Sequence, residues 1–367
     1  MKTNSTAAIQ EVREVRFWHR ISIKEKALFY EHLANMVDGG VPVIASLYSF
    51  LDKNRNIKME VEIMNLLVFV ESGDSFSIAM KKLPNIFDKR EVAIIEAGEQ
   101  SGTMQHSFVS LANELRNQEE LKSKVKGALT YPFIIVLFLL GAIMTIMTYI
   151  IPKLEPLFMN TGVELPFATQ ALVSTSRFIE GNFWGIIILL IVGVLSFQAY
   201  AKSMTGRRSL DALYLKIPVV GDVYRNYTIV RVASTLSLLL EAGIPIIRTL
   251  GLTGEGSNNV IFQEKIEEIS KKVQNGKKIA ESIEESDPDF KVFTQDFYQI
   301  IAAGERTSTI NKVCHKLAAQ YTREVDSSIA VLVRFIEPLA ILIAGIFVLW
   351  FAFGIFSAVL KITETVA

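Results

Sequence analysis

Apolar residues fall along this chain in two rhythms. Over three stretches they run unbroken. Phe133–Ile151 carries no charge over 19 residues, Phe183–Tyr200 none over 18, and Leu339–Leu360 none over 22. A helix needs about 20 apolar residues to cross a bilayer, so these three are predicted membrane helices. Phe183 and Trp184 stand where an interfacial aromatic belt belongs, which favours a span over a buried soluble helix for the middle stretch. Elsewhere the apolar positions recur every third or fourth residue, as at Leu28, Leu33, Met36 and Val37, and again at Leu236, Leu239 and Leu240. That is one face of a helix, and no alternating run with hairpin turns asks for strands. The predicted fold class is an all-α membrane protein.

The polar stretches repeat one another. "LANMVDGGVPVIASL" (residues 33–47) matches "LSLLLEAGIPIIRTL" (residues 236–250) at an offset of 203, which pairs Gly40 with Gly243 and Pro42 with Pro245. Gly73 meets Gly276 in the same register. A three-residue insertion near "SDPDF" moves the offset to 206, where Gly98-Glu99 meets Gly304-Glu305 and Pro132 meets Pro338. Colinear matches with one small insertion indicate a tandem repeat of a helical bundle. Glycine takes the left-handed conformation without a Cβ penalty, so Gly40, Gly73, Gly98, Gly102, Gly243, Gly276 and Gly304 are expected at chain reversals. Pro42 and Pro245 are expected to start the next helices. Pro132 and Pro338, with Tyr131 and Glu337 beside them, are expected to open membrane helices. In the second copy Thr307-Ser308 replaces Ser101-Gly102, so that turn has lost its glycine.

This division predicts eight segments. They are an N-terminal tail (1–20), a first bundle (21–130), a membrane helix (131–151), a loop (152–182) and a second membrane helix (183–200). A second bundle (201–337), a third membrane helix (338–360) and a tail (361–367) follow. Lys122, Lys124 and Lys126 precede the first span, and Lys202, Arg207 and Arg208 follow the second. The positive-inside rule therefore places the N-terminus and both bundles in the cytoplasm, and the 152–182 loop and C-terminal tail on the far side. The N-terminus shows no apolar h-region or cleavage site, so no signal peptide is expected.

Composition narrows the chemistry. Thirty-eight basic side chains balance 38 acidic ones, which gives no reason to expect nucleic acid as a partner. The single cysteine, Cys314, excludes an intrachain disulfide. Its repeat partner is Phe108, which favours a packed thiol over a nucleophile. His19, His32, His106 and His315 show no zinc-ligand spacing. "GLTGEGS" (residues 251–257) lacks the ending of a phosphate loop and is expected to be a flexible connector. A divalent cation held by Glu96 and Glu99 is the one metal site left open, and nothing further supports it. No catalytic constellation and no cofactor site emerge. A recurrent glutamate beside a turn more often caps or pairs than catalyses. The spans hold no charge to serve an ion path.

The strings "FYEHLANMVDGGVPV", "AGEQSG" and "KVKGALTYP", then "LLLEAGIPI", "AAGE" and "FIEP", resemble the type II secretion F / type IV pilus C (PilC-like) family of inner-membrane platform proteins. The resemblance runs from about Ile23 to Leu360. It implies two homologous cytoplasmic helical bundles with three membrane helices, in a multi-pass protein of the bacterial inner membrane. It also implies a non-enzymatic platform that couples a cytoplasmic ATPase to assembly of pilin or pseudopilin subunits, as a homo-oligomer beside other inner-membrane assembly proteins. The alternative is a membrane transporter or membrane-bound enzyme with helical cytoplasmic domains, which would require polar chemistry at membrane depth. Gly141, Ala142, Ala344 and Gly345 would permit close helix approach, either to a partner helix or among the three spans themselves.

Overall fold

The computed structural model describes residues 21–53, 56–159 and 166–366, and among these the regular structure is helical throughout. The expected tail at 1–20 lies outside the described residues. The first repeat comprises α1 (Ile23–Asp38), α2 (Val43–Lys53), α3 (Ile57–Glu71), α4 (Phe76–Lys81) and α5 (Lys89–Ser101), and leads into α6 (Met104–Thr145). A π-helical turn (Ile146–Ile150), α7 (Ile151–Met159), α8 (Phe167–Gly181), α9 (Phe183–Lys202) and α10 (Met204–Lys216) follow. The second repeat comprises α11 (Val220–Glu241), α12 (Ile246–Gly256), α13 (Val260–Gln274), α14 (Ile279–Ser286) and α15 (Gln295–Arg306), and leads into α16 (Ile310–Val366). The helix starts of α2 to α4 recur 203 residues later, and those of α5 and α6 recur 206 later.

Local chemistry explains these boundaries. A capping box opens α1: the Ser22 hydroxyl accepts from the Glu25 N–H (3.2 Å), and the Glu25 carboxylate accepts from the Ser22 N–H (2.7 Å). Asn56, Ser75, Asp88, Asn259 and Thr294 cap later helices with side-chain oxygens that accept backbone N–H groups. Gly40 (φ +77°) and Gly243 (φ +75°) end α1 and α11. In both copies the following N–H reaches back to the preceding helix, Val41 to Met36 and Ile244 to Leu239, each at 3.0 Å.

One compact unit combines the residues up to Ser123 with Gly221–Val325; a second combines Lys124–Val220 with the residues from Asp326 on. In the first unit Phe29, Tyr30, Phe76 and Phe108 are fully or almost fully buried, and Leu239 and Ile244 of the second repeat join that same core. Burying each such side chain contributes about 1.5–3 kcal/mol. The division places Met204–Lys216 with the second unit, whereas the sequence boundary at 201 put it in the second bundle.

Among the described residues three helices are long and apolar enough to cross a membrane, within Met104–Leu154, Phe183–Lys202 and Ile310–Lys361, and their uncharged stretches lie in the second unit. Three expectations are corrected there. Pro132 and Pro338 do not open helices; they lie inside α6 and α16, with Tyr131 and Glu337 one residue before them in the same helices. Proline removes one backbone donor, and where apolar surroundings offer no alternative partner for the remaining groups the helix continues. The segment 152–182 is not a plain loop. Helix α8 buries Leu172 and Val173 against Met147 and Ile151, with Phe347, Trp350 and Phe351 packed alongside. The Thr169 hydroxyl donates to the Gly354 carbonyl, and the Ser176 hydroxyl to the Met147 carbonyl. The tail from residue 361 continues α16 to Val366.

Candidate functional site

The doubled glycine-glutamate motif resolves into two devices. Glu99 on α5 receives the backbone N–H groups of Phe76 (2.8 Å) and Ser77 (3.1 Å) and the Ser77 hydroxyl (2.6 Å), so it caps the N-terminus of α4. Glu305 on α15 does the same for α14, accepting from Ile279 N–H (2.7 Å) and Ala280 N–H (3.1 Å). A carboxylate at a helix N-terminus satisfies orphan donors and meets the positive end of the dipole. Burial acts to raise the Glu99 pKa, but hydrogen bonds from Ser77 and Phe76 outweigh it and hold the group below the usual carboxylate range. Glu96 pairs instead with Arg248 at 2.7 Å. The two carboxylates weighed for a cation thus serve separate partners, and no cluster of three metal-ligating side chains occurs among the described residues.

Gly98 and Gly304 correct the sequence reading. Neither has a positive φ, and each sits inside its helix and is buried. An added Cβ at Gly98 would fall onto the Ser107 hydroxyl, and one at Gly304 onto a Val313 methyl. These glycines let α5 approach α6, and α15 approach α16. The turn itself is made by Gly102 (φ +73°) and, where the glycine is lost, by Ser308 (φ +54°). The other expected turn glycines, Gly73 (φ +100°) and Gly276 (φ +89°), are left-handed. Pro42 and Pro245 stand one residue ahead of α2 and α12, their carbonyls accepting the first helical bonds from Ser46 and Thr249.

A cluster of charged side chains gathers at the start of α5 in the first repeat. Glu91, buried within α5, accepts from the Lys26 ammonium (2.5 Å) and the Tyr30 hydroxyl (3.1 Å). Burial pushes its pKa up to about 7; Lys26 opposes that rise, Asp88 adds to it, and Arg90 opposes it. Asp88 caps α5 and pairs with Arg90 at 2.5 Å. Burial acts to raise the Asp88 pKa, and Arg90 outweighs it to keep that carboxyl low. Asp88, Arg90, Glu91 and Glu114 line a cavity closed by Thr235, Leu238 and Leu239 of the second repeat. Sequence periodicity passed over this cluster. Its one visible sign was a run of charge, Asp88 to Glu91, at the start of a buried helix.

The same helix forms the seam between the repeats. Arg90 donates to the Thr235 hydroxyl (3.3 Å), and its side chain lies so close to Gly256 that a Cβ there would sit 2.7 Å from Arg90 Cδ. Arg248–Glu96 and Lys89–Glu255 (2.9 Å) flank that contact. Gly251, Gly254 and Gly256 are therefore not a flexible connector. They lie in α12, which packs along α13 at Gly254 and receives Arg90 at Gly256. Packing overrides glycine's poor helix propensity here. Cys314 is fully buried, as is Phe108 at the matching position of the first repeat. The arrangement can hold two bundles together and present surfaces; among the described residues it brings together no nucleophile, base and oxyanion donors.

The type II secretion system (T2SS) protein F model matches residues 29–152 and 232–358. The starts of these two matches are 203 residues apart and their ends 206, the offsets of the internal repeat. The chain is 30% identical to the type IV pilus assembly protein PilC of Myxococcus xanthus over 343 residues, covering 94% of this chain and 81% of that protein. It is likewise 30% identical to PilC of Thermus thermophilus over 345 residues, covering 94% and 84%. It is 24% identical to type II secretion system protein F of Aeromonas hydrophila over 365 residues, covering 100% and 93%. A family match to both halves, joined to a duplicated helical bundle and three membrane-length helices, places this chain in the type II secretion system protein F family, whose members include the type IV pilus assembly PilC proteins.

Proposed function

We propose that this protein is the multi-pass inner-membrane platform of a type IV pilus or type II secretion machine. It takes the motion of a cytoplasmic ATPase on its two bundles and passes it to pilin or pseudopilin subunits at its membrane helices. The observation that carries this reading is the double family match laid over the internal repeat. The relatives are named as components of pilus assembly and secretion systems, a structural family rather than an enzyme family. Membership and three apolar helices make this an inner-membrane protein. Cytoplasmic bundles and a far-side C-terminus follow from the basic flanks of the spans.

The chain's own chemistry supports a binding role. Glu91 is committed to Lys26 and Tyr30, and Glu99 and Glu305 to helix ends, so the proposal assigns force and nucleotide turnover to a partner. Deleting the gene should abolish fibre assembly or secretion while pilin synthesis and processing continue. The purified chain should hydrolyse no ATP, yet should change the turnover of the cognate ATPase. Normal fibres in the deletion strain, or intrinsic hydrolysis, would overturn the reading. A reporter after Val366 should read as periplasmic and one at 205–215 as cytoplasmic; the same signal at both points would remove the three-span topology.

A further inference from the structure

Helices α6 and α16 leave the first and second repeats and continue as the first and third spans. Toward the C-terminal end of the first span the backbone opens into the π-helical turn, where the Ile151 N–H reaches back to the Ile146 carbonyl. In that register the partner of the Met147 carbonyl would be Pro152, which has no N–H to give. The Ser176 hydroxyl of α8 supplies the missing donor, and Met147 and Ser176 are both almost completely buried. A carbonyl without a donor is costly where no water reaches it, so this bond selects where α8 lies on the first span.

Thr169, Leu172, Val173 and Ser176 form the buried stripe of α8, at the spacing of one helical face. Its other end is tied to the third span. The Thr169 hydroxyl donates to the Gly354 carbonyl of α16 and lies 3.4 Å from the Ser357 hydroxyl. Gly354 is buried, and an added Cβ there would fall onto Leu172 Cδ1. Gly141 and Gly345, small residues suited to close approach, mark no such crossing, since an added Cβ at either meets nothing within 4 Å. The second span is different. No residue of α9 is buried, no side chain caps its start, and single non-helical residues, Asn182 and Ser203, bound it at its two ends.

We propose that α8 is a clasp, which locks the first and third spans into one body and leaves the second span to hinge at Asn182 and Ser203. Its consequence rests on the platform reading above: a push received by either repeat moves the two clasped spans together, and they shift against the second span. Hydroxyl-to-carbonyl ties and a glycine crossing suit this role, because they let helices in lipid meet closely without burying charge.

The test measures distances in the full chain in nanodiscs with no partner added, so it can fail while the platform reading stands, and hold if that reading falls. Spin labels go on one exposed position in each span, in the pairs Phe138→Cys with Leu349→Cys and Phe138→Cys with Leu190→Cys, where buried Cys314 contributes little background. The first-to-third pair should give a narrow distance distribution, and the first-to-second pair one about twice as wide. Gly354→Val, which drives a side chain against Leu172, should widen the first-to-third distribution, and Leu172→Ala added to it should restore the narrow one by removing the collision. Equal widths for the two pairs in the otherwise native chain would overturn the proposal. So would a first-to-third width that Gly354→Val leaves unchanged, or a widening that Leu172→Ala does not reverse.

Discussion

The first and second repeats use the same helices, the same left-handed turns and the same glutamate cap, yet they fill their centres differently. Lys26, Tyr30 and Glu91 form a buried polar group in the first copy, and Ile229, Ala233 and Phe297 occupy the matching positions in the second. Phe297 is almost fully buried, beside Phe293. A duplicated bundle thus tolerates either an ion pair or a hydrocarbon plug at one place. What it keeps in both copies are the features that set backbone geometry: the turns, the caps and the close helix approaches. The charged copy is also the one whose α5 meets the other repeat. At the positions of Glu96 and Arg90 the second copy has Ala302 and Asp296, so the seam uses a surface that only one copy possesses.

The largest expected effect comes from breaking the buried pair. Glu91→Ala leaves the part-buried Lys26 without its partner and should cost about 3 kcal/mol. Replacing Lys26, Tyr30 and Glu91 together by their counterparts, isoleucine, alanine and phenylalanine, should recover most of that loss. Thermal unfolding of the detergent-solubilised chain followed by helical circular dichroism reads both; equal loss in the single and triple variants would mean the two centres are not interchangeable.

The same residue predicts a pH dependence. The folded pKa of Glu91, about 7, lies above its ordinary value of 4.5, with Lys26, Tyr30, Asp88 and Arg90 facing it. The folded state therefore favours the protonated acid. The associated stability is complete below pH about 4.5 and is lost as pH rises through about 7. The midpoint difference between the native chain and Glu91→Gln should change across that window, and a difference independent of pH would remove burial as the dominant influence.

Next come the close approaches. Gly98→Ala and Gly304→Ala should each cost about 1–3 kcal/mol by overpacking. Ser107→Ala should relieve part of the Gly98→Ala cost, because the clashing hydroxyl is gone; no relief would place the strain in the backbone instead. The shared cap should give equal effects in both copies, with Glu99→Ala and Glu305→Ala each lowering stability by about 1–2 kcal/mol. The Glu99 share should be present above its ordinary pKa and fade as the pH falls, since its folded pKa is depressed. Smallest is Ser308→Gly, which restores the glycine of the first copy at a left-handed position and should gain about 0.5–1 kcal/mol. An unchanged melting midpoint would show that Ser308 holds its φ without cost.

Much of the architecture was written along the chain. Helical periodicity, the three apolar runs and the 203 and 206 offsets located the spans and the duplication, because each signal depends on neighbours in sequence. The recurrence of Glu99 and Glu305 was equally visible, but their targets were not: each caps a helix more than 20 residues upstream. The glycines of α12 read as a connector because sequence shows propensity and hides the helix packed against them. Helix α8 was read as loop for a related reason. Its stripe of Leu172, Val173 and Ser176 is too short and polar to announce a span, and only its packing on Met147 and Phe347 shows what it buries.

By itself the sequence determined where helices form, where they reverse and that the unit is used twice, since capping, glycine's access to positive φ and the hydrophobic period are local properties. Only the tertiary structure decided which glycines serve turns and which serve contact. Gly102 and Gly98 stand four residues apart in one motif, and whether a Cβ is forbidden by φ or by a crossing helix depends on atoms nine residues further on, at Ser107. It also decided that Glu91 is buried with Lys26 across 65 residues of chain, because burial of a charge is a property of everything packed around it.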